Sequence, residues 1–142
     1  FTIYIRDIKT GSLITEKIEN TSGSINFSLD DQYIFYSKLD ENHRPRSIFR
    51  HRIGSSVNED LLIFEEKTKA FTVGIGISSD EKYYFINSSD HNTSEKYYFG
   101  IDEEKPEPKL IQQRKKASFT VSIHGVEIFI CTQMKTLRIL KF

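Results

Sequence analysis

The string Gly76-Ile77-Ser78-Ser79-Asp80 is the nearest approach in these 142 residues to the Gly-x-Ser-x-Gly elbow that lifts a nucleophilic serine above a hydrolase sheet. It lacks the second glycine. Its surroundings read as a hairpin turn, where a Ser or Asp bonds its own backbone through Asx-type contacts. Asp90, His91 and His124 complete a Ser-His-Asp set only on paper. A triad requires the histidine held between carboxylate and nucleophile, and these residues fall in loops of different repeat units. The four histidines are scattered, no Cys/His cluster has metal-ligand spacing, and there is no glycine-rich phosphate loop. No catalytic, cofactor-binding or metal-binding residue is therefore assigned, and no cofactor is expected.

The second chemical candidate is the stretch Asp40 to Gly54, DENHRPRSIFRHRIG, with Arg44, Arg46, Arg50, Arg52, His43 and His51. In a strand, side chains alternate, so Arg44, Arg46, Ile48, Arg50 and Arg52 share one face and Ser47, Phe49, His51 and Ile53 the other. Guanidiniums spaced roughly 6.6 Å apart could track a phosphate backbone, with Phe49 stacking a base. The structural reading is preferred: Asp40, Glu41, Glu59, Asp60, Glu65 and Glu66 lie within a hairpin's reach, and Arg pairs with carboxylates through forked contacts. Arg114-Lys115-Lys116 is read likewise, as a solvated hairpin or inter-unit loop. Tyr83-Tyr84 and Tyr97-Tyr98 fit the core packing of paired strands.

These candidates must be positioned by strands. Eleven Phe and seven Tyr, with no Trp, suit pleated, half-buried surfaces. Lys+Arg and Asp+Glu number 20 each, so no net field draws the chain to nucleic acid or to an anionic membrane. Neither is expected as a partner. Cys131 is the sole cysteine, sits in the apolar run EIFICT and is read as a small hydrophobe. No run approaches the ~20 apolar residues of a membrane span and no basic-then-apolar leader occurs; a reduced, cytoplasmic setting is expected. The sequons at Asn20, Asn26, Asn87 and Asn92 are read as chance matches. Phe1 to Ile8 already alternates like a strand, which suggests that the fold begins upstream.

Sliding the sequence against itself by fifty positions lays FSLDDQYIFYS (Phe27 to Ser37) over ISSDEKYYFIN (Ile77 to Asn87), matching Ser28 to Ser78, Asp30 to Asp80, Tyr33 to Tyr83 and Phe35 to Phe85. The same shift puts SIFRHRI (Ser47 to Ile53) over YYFGIDE (Tyr97 to Glu103), and LLIFEE falls near LIQQRK. A third copy starts at Phe119 with its turn shortened to His124-Gly125, and the leading FTIYIRDIKTGSLI supplies two strands joined by Lys9-Thr10-Gly11. Four short strands per unit of this length are the signature of propeller blades. The expectation is an all-β, partial β-propeller of about three four-stranded antiparallel blades, two complete and two partial: a remnant over 1–18, blades over 23–67 and 70–113, and a partial blade over 117–142. A β-sandwich would explain the strand density but not the recurrence.

The opening run RDIKTGSLITEKIENTSGSINFSLDDQYIFYSKLDENHRP, then DENHRPRSIFRHRIGSSVNEDLLIFEEK and HNTSEKYYFGIDEEKPEPKLIQQRK, resembles the propeller domain of the prolyl oligopeptidase family of serine peptidases, in its oligopeptidase B branch. Nearly the whole chain takes part, through an Arg-x-x-Phe-Arg-His strand, a Phe-Glu-Glu-Lys strand and a Thr-Ser-Glu step. At Thr132-Gln133-Met134-Lys135 it departs from the family pattern. The resemblance implies a non-catalytic propeller fragment that gates substrates to an α/β-hydrolase domain carrying Ser, Asp and His, which cleaves short peptides after Arg or Lys. The partners it implies are that missing domain and peptide substrates. Alone, such a fragment is inactive, and its uncovered blade faces favour self-association. The alternative is a standalone interaction module binding a protein or anionic partner through the basic strand.

Overall fold

In the computed structural model, which describes residues 1–14, 17–116, 118–123, 126–131 and 138–141, the regular structure is β apart from a 3-10 turn at Val57–Glu59. The first sheet holds β1 (Thr21–Phe27), β2 (Tyr33–Leu39), β3 (Pro45–Arg52) and β4 (Leu61–Glu65), in the order β1-β2-β3-β4. The second holds β5 (Thr72–Ile77), β6 (Tyr83–Ser89), β7 (Thr93–Gly100) and β8 (Lys109–Lys116), again in chain order. A third has three strands, β9 (Ser118–Ile123), β10 (Val126–Cys131) and β11 (Arg138–Lys141). A sheet built of consecutive antiparallel neighbours is the blade pattern; a sandwich sends strands across by Greek-key connections. The chain is thus all-β and a partial propeller, with two four-stranded sheets, a leading hairpin and a trailing three-stranded sheet.

Two compact units result, Phe1–Ile75 and Gly76–Phe142. In the first, antiparallel bridges Ile3 to Ile18 and Arg6 to Leu13 hold the leading hairpin. Its turn is closed by Asp7, which accepts from the backbone N–H of Lys9 at 2.7 Å and of Thr10 at 3.1 Å, with Gly11 at φ 70°. Alternation along Ile3 and Ile5 gives the hairpin an apolar side, which packs with Ile18, Ile34 and Tyr36 and with the half-buried Phe49, Ile53 and Val57. Ile18 and Ile34 are fully buried, each contributing about 1.5–3 kcal/mol. Phe35 and Ile48, of opposite parity to Ile34 and Phe49, are buried as well, so both faces of the first sheet carry core.

In the second unit Tyr84 stacks on Phe99 at 5.2 Å between ring centroids, beside the fully buried Ile86 and Ser88. The pairing corrects the fifty-residue overlay. Ile34 pairs with His51 and Tyr84 with Phe99, so the repeat is offset by fifty residues in β2/β6 but by forty-eight in β3/β7. The connection from β2 to β3 is longer than that from β6 to β7, and the difference slides the third strand. Arg114, Lys115 and Lys116 also lie in a strand, β8, rather than in a loop, with Lys115 opposite Ser94 and Lys116 opposite Thr93. The His124-Gly125 turn and Thr132 to Lys135 lie outside the described residues. Cys131 closes β10 opposite Ser118.

Candidate functional site

The two Asp-centred turns are near copies. Ser28 donates to Asp30 at 2.5 Å and Ser78 to Asp80 at 2.6 Å. Each hydroxyl in turn accepts from the N–H that opens the next strand, Tyr33 at 2.9 Å and Tyr83 at 3.0 Å. Asp31 and Glu81 both sit at φ 55°, the left-handed conformation a tight hairpin demands. The Ser hydroxyl holds the carboxyl of Asp30 and of Asp80 below its ordinary range. All the partners of Ser78 belong to its own turn, and its proton points at a neighbour that orients no histidine. Asp90 is likewise occupied: it accepts from the N–H of Asn92 at 2.8 Å and Thr93 at 2.7 Å, and from the Thr93 hydroxyl at 3.0 Å. Those donors lower its pKa, the N–H of Asn92 first. His91 is exposed, and His124 lies outside the described residues. Ser78 and Asp90 are thus turn residues.

The basic strand is put to several uses. Arg46 meets Asp40 at 3.3 Å and also donates to the carbonyls of Glu66 at 3.2 Å and Thr68 at 2.6 Å. Arg44 donates to the Lys69 carbonyl at 3.3 Å. These two guanidiniums therefore tie down the segment after β4, and Asp40 is the carboxylate among the expected partners that Arg46 reaches. The pKa of Asp40 is lowered chiefly by the N–H of Arg44, then by that of Asn42 and by Arg46. Arg50 lies over the Tyr33 ring at 4.5 Å.

Asp60 has a different partner from the one sequence reasoning expected. Its Oδ1 is 2.6 Å from Nδ1 of His51 and its Oδ2 accepts from the Tyr36 hydroxyl at 2.8 Å. The His51 side chain is 0% exposed and that of Asp60 3%. Burial, then the hydrogen bond and charge of Asp60, push the Tyr36 hydroxyl far above its ordinary pKa. The motif joins β2, β3 and the residue that opens β4. Sequence offered one signal for it: His51 shares the inward parity of Phe49 and Ile53.

On the opposite side of those same segments is a cavity of about 210 Å³ lined by Tyr33, Arg50, Arg52, Ser55, Glu59 and Leu61. Its wall is shaped by the tight connection after β3. There Gly54 takes φ 90° and the Ser55 hydroxyl donates to the Arg52 carbonyl at 2.9 Å. Among the described residues no group of three His, Cys, Asp or Glu side chains could hold a metal ion. No helix there is long and apolar enough to cross a membrane.

Repeated four-stranded meanders whose conspicuous Ser, Asp and Arg residues serve turns and loops define blades of a β-propeller. Residues 1–138 match the family described as prolyl oligopeptidase, N-terminal beta-propeller domain, and the chain belongs to that family. Its sequence is 39% identical over 117 residues to Protease 2 of Moraxella lacunata, covering 81% of this chain and 17% of that protein. It is 29% identical over 96 residues to dipeptidyl aminopeptidase BI of Pseudoxanthomonas mexicana, covering 67% of this chain and 13% of that protein. Among solved structures, oligopeptidase B from Leishmania major matches with a TM-score of 0.82 at 24% identity, over 90% of this chain and 19% of that one. Oligopeptidase B from Trypanosoma brucei, with covalently bound antipain in a closed form, matches at 0.78 and 23% identity, over 88% and 19%. The chain thus spans less than a fifth of the length of each of these relatives.

Proposed function

We propose that this chain is part of the substrate-gating propeller of an oligopeptidase B-like serine endopeptidase, which cleaves short peptides after Arg or Lys. The observation that carries this reading is the 39% identity to Protease 2, extended over 81% of the chain. The engagement of Ser78 and Asp90 in their own turns supports it, because it leaves the nucleophile, base and orienting carboxylate to be supplied by a separate α/β-hydrolase domain. The propeller's task in that enzyme is steric: it admits short, flexible peptides and turns folded proteins away. Acidic groups outside this segment select the basic residue, and the setting is cytoplasmic.

The purified 142-residue chain is expected to leave an arginyl amide substrate intact; turnover by protease-free material would end the reading. In the longer protein, deleting this segment should extend cleavage from short peptides to folded substrates, and an unchanged size limit would refute the gating role. The leading hairpin supports a further expectation, that the chain self-associates. Phe1, Tyr4, Ile8 and Leu13 are 83%, 61%, 99% and 54% exposed, and an apolar surface of this kind is ordinarily covered by a neighbouring blade. Sedimentation velocity should show mass rising with concentration, whereas a monomer at all concentrations would contradict it.

A further inference from the structure

We propose that Arg46 and Arg44 latch the connection from β4 to β5 in a form that endopeptidases cleaving after lysine cannot take up. The observations lie on β3 and on the segment after β4, and none depends on the peptidase reading.

The connection has the composition and exposure of a cleavage site. Lys67, Thr68, Lys69 and Ala70 are exposed, and they run between Glu66 and Phe71, which are buried. Exposed connections of small and polar residues are where proteolysis concentrates. Two lysines give it two bonds to attack, Lys67–Thr68 and Lys69–Ala70. A peptidase takes its substrate as an extended strand whose backbone N–H and C=O groups pair with the enzyme, and the scissile carbonyl must reach the oxyanion hole. The backbone of a cleavable segment therefore has to give up its other partners.

Here those partners are side chains fixed elsewhere. The Thr68 N–H donates to the Glu66 carboxylate at 2.7 Å. The carbonyls on either side of Lys67, those of Glu66 and Thr68, both accept from Nη1 of Arg46, at 3.2 and 2.6 Å. The Thr68 carbonyl also accepts from the Phe71 N–H at 3.1 Å. The Lys69 carbonyl, the one that attack on Lys69–Ala70 requires, accepts from Nη1 of Arg44 at 3.3 Å. Attack on either bond must first break charge-assisted hydrogen bonds.

The latch is anchored at its other end. Lys38 pairs with Ser47 and Leu39 with Pro45, so Arg46 is the extra residue of a bulge, a feature that re-aims a side chain. Its side chain is 14% exposed, and its Nε and Nη2 both meet Oδ2 of Asp40 at 3.3 Å, which turns Nη1 to the carbonyls. Asp40 accepts in turn from the N–H of Asn42 at 2.9 Å and of Arg44 at 3.0 Å. Carboxylate, guanidinium and connection thus form one chain of contacts. In the second sheet Glu95 answers to Ser47, so the residue in the place of Arg46 is Ser94. A blade forms without a guanidinium there.

The test is limited trypsin digestion of the 142-residue chain under native conditions, with each cut bond assigned by mass spectrometry. Cutting at Lys67–Thr68 and Lys69–Ala70 is expressed as a ratio to cutting at Arg50–His51, inside β3, which requires the sheet itself to open. In the parent chain both lysine bonds should be cut at least about a hundredfold more slowly than in a free peptide of residues 64–73. R46M should raise the ratio about thirtyfold at both bonds, R46K, which keeps the charge but not the fork, should raise it less, and R44M about threefold at Lys69–Ala70 alone. The Arg44 side chain is exposed, and R44M leaves the contact between Arg46 and Asp40 in place, so it carries the test should R46M not fold. A parent chain cut at either lysine as fast as the free peptide, or ratios unchanged in R46M and R44M alike, would overturn the proposal.

Discussion

Replacing Asp60 by alanine is the sharpest perturbation of this chain. The substitution removes the acceptor of two donors at once, His51 Nδ1 at 2.6 Å and the Tyr36 hydroxyl at 2.8 Å, in a place where the histidine is 0% exposed. A buried donor deprived of its acceptor costs about 1–3 kcal/mol. Two such losses, at a site that water reaches poorly, predict a destabilisation of about 2–5 kcal/mol, comparable to breaking a buried charged pair. Against a typical domain stability of about 5–15 kcal/mol that is a large share, and it lowers the unfolding midpoint by roughly 10 °C. His51→Phe installs what the second sheet carries at Phe99. It leaves the Asp60 carboxylate buried with Tyr36 as its one remaining partner in this motif, so it too is destabilising. The double variant H51F/D60A removes acceptor and imidazole together and should cost less than the sum of the singles, with a coupling of at least about 1 kcal/mol. Seven tyrosines and no tryptophan make tyrosine fluorescence, paired with far-UV circular dichroism, the probe for urea unfolding. All variants are compared at one protein concentration, because self-association shifts apparent stability. Additive effects, or a D60A midpoint equivalent to less than about 0.5 kcal/mol, would refute the reasoning that this cluster closes the β3–β4 end of the blade.

Ser78→Ala should destabilise the chain by about 1–2 kcal/mol in urea, through the N–H of Tyr83, which loses its side-chain acceptor, and that of Lys82, which keeps only the 3.3 Å contact to Asp80. It should leave any peptidase activity of a longer protein containing this segment unchanged; loss of kcat would restore Ser78 as a catalytic candidate. Asp30, Asp40, Asp80 and Asp90 all have carboxyls held below the ordinary value of about 3.8. Since the unfolded chain protonates these groups at higher pH than the folded one, their stabilisation is complete above 3.8 and is lost as pH falls through the folded values. Acid unfolding followed by circular dichroism should therefore steepen below about pH 4, and D80N, which removes one such group, should flatten it. Gly54→Ala should cost about 1 kcal/mol, from the φ of 90° alone, because no atom lies within 4 Å of the position a Cβ would occupy. A midpoint equal to the parent's would show that the connection after β3 relaxes.

The strands and the Asp-centred turns were legible in the sequence because they are built from local rules. Period-two alternation over FTIYIRDI and YIFYSKL, with Ser and Asp at fixed places in the turns, depends on neighbours within about five residues. The tertiary polar contacts were not legible, for two physical reasons. Asp60 reaches His51 across a connection whose path is set by Gly54 and the 3-10 turn, and from charge alone the nearer arginines look like equal claimants. Arg46 reaches the carbonyls of Glu66 and Thr68 as well as a carboxylate, and backbone acceptors carry no mark in a sequence. The fifty-residue overlay failed from β3 onward for a related reason: a hairpin loop changes length without disturbing either strand, and each change re-indexes every residue beyond it.

With that slip corrected, the repeat separates scaffold from speciality. Positions that agree between the two sheets, such as Ser28 with Ser78, Asp30 with Asp80 and Tyr33 with Tyr83, make the same hydrogen bonds in both and are accounted for by folding. Positions that differ sharply, His51 against Phe99, Arg50 against Tyr98 and Arg52 against Gly100, include the histidine that is buried against Asp60. A buried carboxylate–imidazole pair costs desolvation that the stacked rings of Tyr84 and Phe99 avoid. Stability alone would favour the aromatic solution in both sheets. In the first sheet the pair instead ties the segment that leads into β4, and the Tyr36 hydroxyl of β2, to β3.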